Sequence, residues 1–142
     1  MGSKTDLLQG FYDRVWVDGA IDEAGRFFDT SAEASGLMPD LAVGAVEFHE
    51  FVAALLEFLD VQRVTFEKTV EQGEWLAVMA SFEANVLANG QTITGSGMLM
   101  ARIVDDRIVE AFNCIDFLGL FEQLGLVPPD ALALGMAGHC FQ

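Results

Sequence analysis

Between Glu110 and Glu122 a single carboxylate, Asp116, sits among Phe112, Ile115, Phe117 and Leu118, where a strand-like segment passes into a helix-like one. Proton abstraction beside a carbonyl needs a carboxylate held in an apolar site, with a donor nearby to steady the enolate. Asp116 has the neighbours for that role. The same junction is also a preferred place for an Asp helix cap, which accepts backbone N–H bonds that favour the charged form. The sequence leaves both readings open: a cap, or a catalytic acid or base facing a pocket.

Other side chains offer a substrate something to bind. Tyr12, the only tyrosine, lies near Trp16 on a helical pattern, and its hydroxyl is an oxyanion donor if buried. Asn113 is able to orient a carbonyl, but at three positions from Asp116 a regular strand points the two to opposite faces. Phe112, Met98 and Met100 supply apolar contact area. Glu83 and Arg102 fall on adjacent strands, where pairing would make either a polar pocket wall or a structural ion pair. His49 adjoins Glu50 and so does not meet it across a helix turn; a surface or rim place is expected. No metal site is expected from His139, Cys140 and the remaining His and Cys, because they reproduce no ligand spacing, and no cofactor motif is present.

These residues need elements to hold them. Leu7, Leu8, Phe11, Tyr12 and Val15 predict a helix over about 6–18, with Thr5 as its cap and Gly19 as its stop. Ile21, Ala24, Phe27 and Phe28 predict a second, shorter helix. Residues 29–43, with Gly36 and Pro39, read as a short strand or loop. Val46, Phe51, Val52, Leu55, Leu56 and Leu59 predict a third helix. Beyond Asp60 the period changes to alternation, and the turns Gln72-Gly73, Asn89-Gly90 and Asp105-Asp106 divide the rest into strands over about 61–71, 75–88, 92–104 and 107–116. A helix from Phe117 to Leu124 stops at Gly125, and Pro128-Pro129 opens a last helix through Leu132 and Met136. Helices followed by an antiparallel meander predict an α+β domain spanning 1–142.

In the strand 75–88 one side is continuously apolar, from Leu76 to Val86, and the other is mixed: Trp75, Ala77, Met79, Ser81, Glu83 and Asn85. The mixed face, continued by Met98, Met100 and Arg102, predicts a pocket or a subunit interface. Cys114 is expected to be buried as a small apolar residue.

Composition narrows the partners. The chain is 52% hydrophobic with 12 Phe, yet 22 acidic against 7 basic residues give a net charge of −15. That field repels a phosphate backbone, so no nucleic-acid partner is expected. The uncharged run from Ala84 to Ala101 contains Asn85, Asn89, Gly90, Gln91, Gly95 and Gly97, so no membrane span is expected. MGSKTDLLQG has no apolar signal core and carries Asp6 where a myristoylation motif needs Ser or Thr. A cytoplasmic location is the expectation.

"FYDRVWVDGAIDEAGRFFD", "VGAVEFHEFVAALLEF" and, most specifically, "DDRIVEAFNCIDFLGLFEQLGLVP" resemble the opening, third helix and closing segment of the SnoaL-like polyketide cyclases, within the nuclear transport factor 2-like superfamily. The resemblance covers nearly the whole chain. It implies a cystatin-like cone of curved antiparallel sheet closed by helices, a pocket between them, a homodimer through the sheet, and an aspartate as general acid or base. That aspartate falls on Asp116. Cyclase-like relatives often carry a Gly-Thr-His segment and a longer Pro-rich loop, whereas "SFEANVLANGQTITG" turns tightly and has no histidine.

Three readings follow. The chain is a cyclase or isomerase of an apolar, carbonyl-bearing small molecule; or it binds such a ligand without chemistry; or it is a dimerisation module with no cavity. Epoxide opening by Glu83 and Arg102, as in the related limonene epoxide hydrolases, is a further alternative.

Overall fold

The computed structural model describes residues 3–38, 41–43 and 45–140. Pro39 and the Met1-Gly2 start lie outside them. Helix α1, Lys4–Phe11, continues without a break into a π-helical turn, Tyr12–Val17, and a 3-10 turn follows at Ile21–Arg26. Strand β1 is Phe28–Met38, β2 Leu41–Val43, and helix α2 Ala45–Leu56. Strands β3 (Leu59–Gln72), β4 (Trp75–Val86), β5 (Thr92–Val104) and β6 (Arg107–Ile115) form the meander, and α3 (Phe117–Gln123) and α4 (Ala131–Met136) close the chain.

The α+β prediction holds: helices cover the concave side of a curved, open six-stranded sheet of order β2-β1-β6-β5-β4-β3. All three predicted hairpins are present. Gly73 and Gly90 turn with φ of 60° and 71°, and Asp105 and Asp106 both adopt positive φ, the left-handed pair a tight two-residue hairpin needs.

Three local expectations are corrected. Ser3, not Thr5, caps α1, in a reciprocal capping box: Ser3 Oγ accepts the Asp6 N–H at 3.1 Å, and the Ser3 N–H donates to Asp6 Oδ2 at 3.4 Å. The second helix is a single 3-10 stretch, and Phe28 already belongs to β1. The segment read as a short strand or loop holds an eleven-residue strand. Its sequence, FDTSAEASGLM, is poor in β-branched residues, so its order comes from partners rather than propensity. β1 pairs in parallel with β6 (Phe28 with Ile108, Ala34 with Ala111), a departure from an all-antiparallel sheet. Arg107 Nη1 fastens that junction by donating to the Gly25 and Phe28 carbonyls at 3.1 and 3.2 Å.

The core lies between the helices and the concave face. Leu76, Val78, Ile93 and Ile108 from the sheet and Val15 and Val52 from the helices are almost wholly buried, each large side chain contributing roughly 1.5–3 kcal/mol. Gln9 anchors α1 to the sheet, its Nε2 donating to the Val64 carbonyl at 2.9 Å.

Candidate functional site

Side chains alternate along a strand, so β4, β5 and β6 each present one set inward and one outward. The inward set is rich in small residues: Ala80, Gly97, Ala101 and Ala111. Under a curved sheet these leave room that Val or Leu would fill. The result is a cavity of about 140 Å³ between the sheet and α1, α2 and α3. Its wall carries eight aromatic side chains: Phe11, Tyr12, Trp16, Phe28, Phe48, Phe51, Phe82 and Phe117. The rings meet edge to face in several places. Trp16 and Phe51 centroids are 6.4 Å apart at 77°, and Phe51 and Phe117 are 6.3 Å apart at 87°.

Two glycines shape this wall. A Cβ on Gly95 would overlap the Phe82 ring at Cζ, so Phe82 lies flat against the β5 backbone. At Gly97 a Cβ would stand 2.6 Å from Ile115 Cδ1, so Ile115 packs closely over it.

Polar groups in the lining are few. Tyr12 and Trp16 arrive from the π-helical turn, whose wide spacing is marked by the Asp18 N–H donating to the Asp13 carbonyl five residues back at 2.9 Å. Burial pushes the Tyr12 phenol well above its ordinary 10.0. Among the described residues no group hydrogen-bonds the Tyr12 hydroxyl, and no buried side-chain polar atom is left unpaired. Tyr12 nonetheless keeps some accessible surface. Asn113 also lines the cavity, from β6. Among the described residues, no carboxylate, Lys, Arg or His lines the cavity.

Asp116 lies elsewhere. It is exposed, it is the N-cap of α3, and its Oδ1 accepts the Gly119 N–H at 3.0 Å. Its neighbours Ile115 and Phe117 line the cavity while its own carboxylate does not. The opposite-face argument for Asn113 and Asp116 therefore agrees with the structure, with Asn113 on the inner side.

The mixed strand face is the outer one, which places five of the expected pocket residues outside the aromatic cavity, although Arg102 and Phe112 line a polar recess on the outer face. Met98, Met100 and Phe112 are 56%, 45% and 47% exposed on the convex surface, and Glu83 and Arg102 share that side. Glu83 and Arg102 do not pair. Glu83 is opposite Thr94 in the β4–β5 register, eight residues or roughly 26 Å along β5 from Arg102. Arg102 instead joins Glu110 at 2.7 Å and Glu74 at 3.4 Å, which together hold its guanidinium pKa above the usual value, and Glu83 lies 3.7 Å from Arg63. Cys114, expected to be buried, is exposed beside Met98. His49 is exposed as expected, its Nε2 3.2 Å from Asp22 Oδ1. Among the described residues no group of three His, Cys, Asp or Glu is placed to hold a metal ion, and no helix is long and apolar enough to cross a membrane.

A family model described as SnoaL-like polyketide cyclase matches residues 6–124. The chain belongs to the SnoaL-like polyketide cyclase family. Solved structures agree in fold. A SnoaL-like polyketide cyclase from Agrobacterium tumefaciens is 20% identical, with 88% of this chain and 100% of that one covered at a TM-score of 0.68. TsrD from Streptomyces laurentii is 14% identical over 89% and 100% of the two chains, TM-score 0.69. A protein of ketosteroid isomerase-like fold from Catenulispora acidiphila, in complex with trimethylamine, is 12% identical over 78% and 85%, TM-score 0.64. No protein of curated function matches. In this SnoaL-like chain α3 forms one wall of the cavity through Phe117 and Leu120, and a side chain holds it in place. Gln123 takes the position a further strand residue would take beyond the end of β6: its Oε1 accepts the Thr94 N–H at 3.0 Å and its Nε2 donates to the Thr94 carbonyl at 2.6 Å.

Six aromatic lining residues, Phe11, Phe28, Phe48, Phe51, Phe82 and Phe117, were not expected from the sequence, nor was Gln123. Small residues recurring on the inner face of three strands, opposite aromatic-rich helices, were the available signal.

Proposed function

We propose that this SnoaL-like protein binds an uncharged, apolar, carbonyl-bearing small molecule in the aromatic cavity, without itself transferring a proton there. The observation that carries the reading is the lining: eight aromatic rings and, among the described residues, no group that ionises near neutral pH. Apolar surface drives entry, at roughly 25 cal/mol per Å² removed from water. Orientation comes from Tyr12, whose hydroxyl stays protonated and donates to the carbonyl oxygen, with Asn113 on the opposite wall. An anion would meet neither a cation nor a cluster of donors, and its desolvation would go uncompensated.

Membership of a cyclase family favours a second reading, in which Asp116 acts as general acid or base on such a ligand. The two differ in what Asp116→Asn does to turnover and to binding. A third element of the proposal is a homodimer through the convex sheet, where Met98, Met100 and Phe112 form an exposed apolar band flanked by the Arg102–Glu110 pair. An apolar centre with a polar rim is the usual anatomy of such interfaces.

The binding reading is tested by fluorescence. Trp16 lines the cavity and Trp75 lies on the convex face, so in a Trp75→Phe variant Trp16 is the sole tryptophan. Saturable change of its emission on adding apolar ketones is the expected result. Emission unmoved by any of them would overturn the reading.

A further inference from the structure

The cavity's dimensions say more than that it is apolar. Drug-sized ligands occupy pockets of roughly 300–1,000 Å³, while an engineered apolar cavity of about 150 Å³ holds benzene. At about 140 Å³ this one belongs to the second class. Eight rings contribute to its outline alongside Leu, Val and Ile side chains. Phe82 rests on Gly95, where even a methyl group would collide with it, so it has no space to retreat toward the sheet. Ile115 is fixed in the same manner over Gly97. Trp16, Phe51 and Phe117 meet edge to face along the wall, an arrangement an aromatic guest continues.

We propose that the cavity takes a neutral, single-ring aromatic carbonyl compound, and that Phe82, seated on Gly95, is the residue that excludes two-ring ligands. The proposal rests on the binding reading above and narrows it to a ligand class. A benzene ring with a short acyl arm fills the space while its carbonyl reaches the polar wall at Tyr12. A fused bicycle of the same chemistry needs the volume the Phe82 ring occupies. A flexible alkyl ketone fits by volume, but loses rotamer freedom on entry and gains no ring-to-ring contact. A carboxylate in place of the ketone is rejected, because no cation lines the wall and the chain as a whole carries −15.

The test is calorimetric titration of the full chain with acetophenone, benzoate, 2-acetonaphthone and decan-2-one. Expected is one-to-one binding of acetophenone, with the other three each at least about tenfold weaker, since one missing or misfitting contact commonly shifts affinity by that factor. In Phe82→Ala the preference between acetophenone and 2-acetonaphthone reverses. Should that variant fail to fold, Phe82→Leu is titrated instead, and the ratio moves the same way by a smaller factor. Wild-type affinity for 2-acetonaphthone or decan-2-one equal to that for acetophenone overturns the ligand class and leaves the binding reading standing. Binding of none of the four overturns both. A ratio unchanged in every folded Phe82 variant overturns the role given to that residue.

Discussion

Asp116 and Gly119 are fitted to one another: the carboxylate Oδ1 accepts the Gly119 N–H at 3.0 Å, and a Cβ on Gly119 would overlap its other oxygen, Oδ2. Loss of the cap in Asp116→Ala is expected to cost about 0.5–2 kcal/mol in thermal or denaturant unfolding, while Asp116→Asn, an equally good cap, stays close to wild type. Gly119→Ala should destabilise the wild-type chain by displacing the carboxylate, but not the Asp116→Ala background, where Ala is the better helix former. That non-additivity is the signature of the pair. Ligand affinity in Asp116→Asn is expected to be unchanged, and a loss of turnover with intact binding would decide for the catalytic reading.

Tyr12 gives a pH prediction with a definite sign. Its phenol ionises well above 10.0 in the folded chain and near 10.0 once unfolded. Between those values the folded state holds a proton that the unfolded state has released, so stability falls as pH rises and is unaffected by this group below about pH 9. Because Tyr12 is the only tyrosine, phenolate absorbance reports it alone. The expected outcome is little phenolate until the chain unfolds, and a shallower alkaline loss of Tm in Tyr12→Phe. A free titration near pH 10 in the folded protein would place the hydroxyl in water.

Gln123 is expected to control how firmly α3 closes the cavity. Its two hydrogen bonds to Thr94 are exposed, and each contributes about 0.5–1.5 kcal/mol at most. Gln123→Ala should therefore lower global stability modestly, while amide exchange speeds up selectively in α3. Exchange unchanged in α3 would mean that Phe117 and Leu120 hold the helix without it.

Much of this architecture is legible in the chain. The three hairpins follow from Gln72-Gly73, Asn89-Gly90 and Asp105-Asp106, because those turns are local backbone chemistry, and the meander follows from the alternating pattern beyond Asp60. β1 is not legible in the same way. Its residues have weak strand preference, and its order depends on the parallel partner β6, whose paired residues lie 77 to 80 positions away and which no local pattern announces. The site divides along the same line. Tyr12, Trp16 and Asn113 line the cavity, whereas Met98, Met100, Phe112, Glu83 and Arg102 face outward. Alternation separates two faces without saying which is concave. The polar, mixed face looks like a pocket by composition, but a curved sheet places helices over the apolar side, and small residues there leave the space.

The convex band yields a prediction of assembly. Met98→Glu combined with Phe112→Glu places charge in the middle of the apolar surface, which is strongly unfavourable inside an interface. Sedimentation is expected to show the wild-type chain as a dimer and the double variant as a folded monomer. An unchanged sedimentation coefficient would remove this face from the assembly.

The cavity claim is tested most directly by crystals soaked in 4-bromoacetophenone, with bromine located by anomalous scattering. One bromine peak is expected inside the aromatic wall, among Trp16, Phe51 and Phe82, with the ketone oxygen within hydrogen-bonding distance of the Tyr12 hydroxyl. An empty cavity with bromine only on the convex sheet, or nowhere, would contradict it.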